Sequence, residues 1–155
     1  MATRSMQQWF DAYGASHLDP TNKAIHWVCV PVIYWCVVAL LFSIPTPAWS
    51  PLPHLWAVAA VVLVTVFYAR ISIPIMVGMV LWSLFCLWSC RLVSIHVAWP
   101  LWAVSVGLFV LAWIGQFYGH KVEGKKPSFL EDIQFLMIGP AWLMGFIYRR
   151  LGLSY

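Results

Sequence analysis

Little in this chain carries charge: charged residues make up 9% of it, against 63% that are hydrophobic. A water-soluble globule of 155 residues could not cover that much apolar surface with so few polar groups. Lipid is therefore the expected solvent. Nine basic residues against five acidic ones leave a formal charge of +4, but they lie mostly between or outside the apolar runs and form no patch suited to a phosphate backbone. That argues against nucleic acid as a partner and reads instead as membrane topology. Paired cysteine motifs are missing too. Cys29, Cys36, Cys86 and Cys90 all fall inside apolar runs, with no C-x-x-C pair and no secreted-domain framework, so they read as small core residues rather than ligands or disulfides. No cleavable leader is expected, because Asp11 and Asp19 precede the first apolar run. The sequence shows no internal repeat and no low-complexity tract, and residues 1–155 read as a single all-α membrane domain, a polytopic bundle of four or five apolar helices.

Long uncharged runs are what the chain does have. Ala24–Ile44 carries no formal charge and spans about 31 Å at the helical rise, enough to cross a hydrocarbon core. Four prolines between Ser43 and Pro53 then force a turn. A second, short helix is expected from about His54 to Ala69, ending at Arg70. A third is expected over Ile71–Cys90, with Pro74 in its first turn and Arg91 closing it. The fourth covers Trp99–Tyr118, with Gly119 just past its end. The last apolar segment, Ile133–Ile147, carries Gly139-Pro140 and reads equally as a kinked span, a re-entrant segment or an interfacial helix. Arg4, Lys23, Arg70, Lys121, Lys125 and Lys126 fall on one side of a four-span arrangement, which makes that side cytoplasmic; Arg149 and Arg150 favour the same side for the C-terminus. Trp49, Trp56, Trp99 and Trp102 would form half of an aromatic belt opposite.

Two polar segments carry the candidate chemistry. In the first, Tyr13 to His26, a spacing of four puts Asn22 and His26 on one helical face, and Pro20 lets the preceding chain fold back to bring His17 near them. This is half of a metal site, with imidazole suited to iron, copper or zinc and Asn22 ligating weakly or orienting a ligand. Taken alone, interfacial histidines would look the same. In the second segment, Gly115 to Pro127, His120 and Glu123 lie three apart and can face one ligand if the chain is helical. A solvated loop is the plain alternative there. Topology delivers both segments to one membrane face, so His17, His26, His120 and Glu123 converge in the expectation although they are distant in the chain. His54 reads as an interfacial anchor. His96 falls on the opposite face, roughly 30 Å away, and is excluded unless a neighbouring helix fails to span.

On these residues the chain resembles the Mpo1-like family. The matching features are His17-Leu-Asp-Pro-Thr-Asn22-Lys-Ala-Ile-His26 before an apolar helix containing Pro31, and Gln116-Phe-Tyr-Gly-His120 continuing to Glu123, Lys126 and Pro127. The resemblance runs over nearly the whole chain. It departs at Ser16-His17, where family members often carry two adjacent histidines, and at Ser128–Asp132, where they usually read small and apolar before an acidic-amide pair. The family also tends to carry a histidine-containing turn near His96, which keeps that residue in reserve.

The resemblance implies an iron(II)-dependent dioxygenase that shortens a 2-hydroxy fatty acid by one carbon with molecular oxygen and no 2-oxoglutarate. His17, His26 and His120 would hold the Fe2+, leaving positions for substrate and oxygen. Asn22 and Glu123 are the implied catalytic residues, Glu123 by receiving the hydroxyl proton or by fixing a ligand histidine. Lys121, Lys125 or Lys126 would attract the carboxylate or simply set topology, and the acyl tail would enter an apolar slot from the membrane lipid. Two alternatives are a small transporter or channel and a heme-binding subunit. The first is disfavoured because no Asp, Glu, Lys or Arg lies inside the expected spans, the second because the histidines sit at helix ends.

Overall fold

A computed structural model describes residues 4–127 and 134–155. Six helices follow one another: α1 (Met6–Gly14), α2 (Pro20–Ser43), α3 (Leu55–Ala69), α4 (Ile73–His96), α5 (Leu101–Glu123) and α6 (Phe135–Arg150), with no strand among the described residues. The protein is an all-helical bundle. Three helices, α2, α4 and α5, are long and apolar enough to cross a membrane. α3 has 15 residues, about 22 Å of helix, and so falls short of an untilted crossing of roughly 30 Å. Three of the four expected spans thus reach that length, and α3 is the short fourth apolar helix.

Local chemistry sets the ends. Ser5 and Gln8 form a capping box that starts α1, a helix not expected from the hydrophobic pattern of so short a segment. Its buried residues Met6, Trp9, Phe10 and Tyr13 follow the spacing of one helical face. The Asp19 carboxylate accepts from the Thr21 and Asn22 amides with Pro20 at the first position, so α2 begins four residues before the uncharged run. Ser72 caps α4.

Two expected endpoints are corrected. Arg91 does not close its helix: it is exposed, and α4 continues to His96. A charge ends an apolar run without ending a helix when the side chain can reach water. Gly119 likewise lies inside α5, and it is Gly124, at φ 72°, that ends the helix in the left-handed conformation glycine adopts freely. His120 and Glu123 are therefore helical. The first residue of the expected last segment, Ile133, and the divergent stretch Ser128–Asp132 lie outside the described residues.

α2 is the centre of the bundle, packed most extensively along α5 and also on α3 and α4. α1 lies against α6, where the Phe10 ring occupies the space a side chain on Gly145 would need. Tyr13 meets Phe135 and Trp142 at ring separations of 5.9 and 5.3 Å. Tyr34 donates to Ser83 Oγ over 2.7 Å and Trp35 to Ser89 Oγ over 2.8 Å, tying α2 to α4 with polar groups that would otherwise be stranded in an apolar interior. Leu63, Leu81 and Leu111, each more than 60% exposed, point outward as lipid-facing residues do.

Candidate metal centre

Three segments bring the candidate ligands together. His17 sits in the turn between α1 and α2, its amide donating to the Gly14 carbonyl over 3.0 Å. His26 lies in the second turn of α2 and His120 in the last full turn of α5. All three are buried, at 1%, 1% and 5% exposure. One potential ligand atom from each lies within 4.8 Å of the others.

Backbone carbonyls fix two of the rings. His17 Nδ1–H donates to the Tyr13 carbonyl over 2.6 Å, and His26 Nδ1–H to the Asn22 carbonyl over 2.9 Å. A carbonyl can only accept, so in both neutral rings the proton is on Nδ1 and Nε2 presents a bare lone pair. Those two Nε2 atoms face each other at 2.9 Å. The distance is that of a hydrogen bond, but neither atom has a proton to give unless a ring becomes cationic. Burial opposes that: the His17 pKa is pushed down from 6.5 to about 4, chiefly by loss of water and further by the neighbouring His120, against the opposing bond to Tyr13. Two lone pairs at this spacing match imidazoles that share one ion at roughly 2.1 Å each. His120 Nδ1 is also buried and has no hydrogen bond among the described residues. The donor set therefore fits a divalent metal, and the unpaired ring nitrogens are hard to account for without one.

Asn22 and Glu123 support this cluster from behind. The Glu123 carboxylate accepts from the amides of Leu18 and Asp19 over 2.9 and 2.8 Å and from Asn22 Nδ2 over 3.1 Å. Its oxygens are thus engaged by the turn that carries His17, with no hydrogen bond to a histidine ring among the described residues. Asn22, fully buried, also donates to the Ser16 carbonyl over 3.3 Å. Lys125 donates to the Ala15 carbonyl, adding another tie from the end of α5; among the described residues no hydrogen bond is found for Lys121 or Lys126.

Several contributors were not singled out from the sequence. Tyr13 stacks on His17 at 4.1 Å and 17°, and Trp142 lies against both rings, 5.5 Å from His17 and 5.3 Å from Tyr13. The Tyr13-x-x-x-His17 spacing carried that signal. The spacing of Gly115 and Gly119 is a second one: a Cβ on Gly119 would lie 2.4 Å from Asn22 Oδ1, and one on Gly115 would lie 2.8 Å from Cys29 Sγ, so these glycines let α5 approach α2 closely.

An apolar cavity of about 290 Å³ opens from the triad and follows α2 through Val30, Ile33, Val37 and Leu41, with α3, α5 and α6 completing its walls. His54 and His96 take no part in the triad. His54 donates to the Phe42 carbonyl over 3.0 Å and stacks on the Phe42 ring at the far end of α2; His96 is exposed at the end of α4. The four cysteines are free, three of them buried.

A family model described as 2-hydroxy-palmitic acid dioxygenase Mpo1-like matches residues 3–151. A curated relative from Saccharomyces cerevisiae, the 2-hydroxy-palmitic acid dioxygenase MPO1, is 28% identical over 142 residues, covering 90% of this chain and 78% of its own. No solved structure matches the chain.

Proposed function

The chain belongs to the Mpo1-like family, and from that premise we propose that it is an iron(II)-dependent, multi-pass membrane dioxygenase. Its reaction would take a 2-hydroxy fatty acid and O2 to the one-carbon-shorter acid, with CO2 and water balancing the atoms. The observation that carries the metal-dependent reading is the pair of deprotonated Nε2 atoms 2.9 Å apart beside a third buried histidine.

His17, His26 and His120 would hold the ion, and an all-imidazole set suits iron(II) as well as other divalent metals. Iron, when bound, would supply the redox chemistry that dioxygen requires and a Lewis-acidic hold on the acid's oxygens. The remaining work belongs to the chain. Carbonyls of Tyr13 and Asn22 keep the Nδ1 protons in place, so that each Nε2 faces inward. Glu123 acts here as a positioning residue, pinning the His17 turn to the end of α5 through Leu18, Asp19 and Asn22. Tyr13 and Trp142 shield His17 from water.

The aliphatic tail would lie in the cavity along α2. The cavity, of about 290 Å³, is open past Val37, which is 45% exposed while lining it, so a long tail would extend there toward the bilayer. Entry from the bilayer suits a substrate that partitions there, and the basic residues near the triad's end favour the cytoplasmic face. Product analysis by mass spectrometry, with 2-hydroxy acids of graded length, ferrous iron and air, tests the reading. Acids one carbon shorter are expected; their absence at every length defeats it.

A further inference from the structure

Beside the triad, the cavity wall contains a polar group with nothing to bind. Gln116 lies one helical turn before His120 on the same face of α5 and lines the cavity. Its side chain is buried, at 6% exposure, yet makes no hydrogen bond within the described residues. Among the other hydrogen-bonding groups on that wall, the Tyr34 hydroxyl is committed to Ser83 and the Nδ1 atoms of His17 and His26 to carbonyls, while His120 Nδ1 has no hydrogen bond among the described residues. Around Gln116 the lining is largely apolar, with Val30, Phe109 and Leu136 among its residues. The carboxamide is not sealed within protein but opens onto the cavity, so it is placed to meet the polar group of a ligand there.

We propose that Gln116 binds the polar head of the substrate and distinguishes a 2-hydroxy acid from an unsubstituted one. This rests on the reading of the preceding subsection that such an acid is the ligand. A carboxamide offers a donor and an acceptor side by side. A 2-hydroxy acid offers the complement on adjacent carbons, a carboxylate that accepts and a hydroxyl that donates. Nε2–H donates to a carboxylate oxygen, and Oε1 accepts from the 2-hydroxyl. An acid without the hydroxyl leaves Oε1 unpaired in an apolar wall, and discrimination by a buried, unsatisfied group is stronger than discrimination by shape. The location fits this role, because the head must lie at the triad while the tail occupies the apolar stretch beyond it.

The test compares the wild-type protein with Gln116→Met, which keeps length and bulk but removes both polar atoms. Binding of 2-hydroxyhexadecanoate and of hexadecanoate is measured without oxygen, on iron-loaded protein in lipid nanodiscs, so that no turnover intervenes. The wild-type protein should prefer the hydroxy acid, and Gln116→Met should reduce that preference by about tenfold or more. Iron content and thermal unfolding should be unchanged in the variant, since no protein group loses a partner. An unchanged preference in Gln116→Met overturns the proposal, as does a variant that loses iron or stability, which would mark Gln116 as structural. Gln116→Leu gives a second apolar replacement should the first fold poorly. A wild-type protein without any preference for the hydroxy acid overturns the functional reading itself, and this assignment with it.

Discussion

At one end of the bundle His17, His26 and His120 are sealed from solvent, two of them with their Nδ1 protons held by carbonyls and their Nε2 atoms opposed. At the other end His54 stacks on Phe42 and donates to that residue's carbonyl, while His96 stands exposed. The same side chain is used as a lone-pair donor in one place and as a packing or surface group in the other. What differs is the surrounding chain. The triad end is gripped by Glu123, Asn22 and Lys125 across segments distant in sequence, whereas the far end is a proline-rich turn and a short connection carrying exposed Trp49 and Trp99, with exposed Trp102 at the start of α5. Burial alone does not suit a cluster to a metal; burial with fixed tautomers and a shared focus does.

The contrast is most easily broken by substitution. His120→Ala or His26→Ala should lose bound iron and at least about 100-fold in activity, and Glu123→Ala should weaken iron binding by about 10- to 100-fold through release of the His17 turn. His96→Ala should retain both. Iron quantification on the purified proteins, followed by turnover assays, gives the answer, and loss of iron in His96→Ala would show that the far end contributes.

Acid should separate the two ends next. The His17 pKa is lowered in the folded protein from 6.5 to about 4, so between those values the unfolded chain binds more protons than the folded one. Stability of the iron-free protein contributed by a neutral His17 is present above pH 6.5 and lost as the pH falls toward 4, by at most about 3 kcal/mol. Thermal unfolding in detergent with a chelator, as a function of pH, should show that slope, and His17→Ala should flatten it. An equal slope in both proteins would remove His17 as its source.

The smallest effect lies within α5 itself. Gly119→Ala would drive a Cβ to within 2.4 Å of Asn22 Oδ1, while Gly107→Ala meets nothing within 4 Å. The first should destabilise by about 1–3 kcal/mol and loosen iron binding, and the second should be neutral or slightly stabilising. Unfolding midpoints of the two variants test whether close packing is confined to the triad end.

Much of the site was readable beforehand because topology is coarse. Uncharged runs and their parity placed the segments of His17–His26 and of His120 on one side, and Pro20 marked where the preceding chain folds back. The details that escaped depend on neighbours. Arg91 reads as a helix end because charge and lipid are incompatible, but an exposed arginine can ride on a helix that has left the apolar layer. Gly119 reads as a terminator because glycine favours helix ends, but here its missing side chain admits Asn22 from α2. The roles of Tyr13 and Trp142 could not be assigned before α1 and α6 were known to pack together.

Composition and periodicity determined by themselves that this chain is helical and suited to lipid, and which ionisable residues lie at the ends of its apolar runs, because those follow from transfer energies summed along the chain. Only the tertiary structure decided that two histidine lone pairs meet at 2.9 Å, that Glu123 holds the turn beside them, and that Gln116 lines the cavity without a hydrogen bond among the described residues. Those depend on angstrom-scale approaches between helices, and the approaches are set by which small side chains allow them.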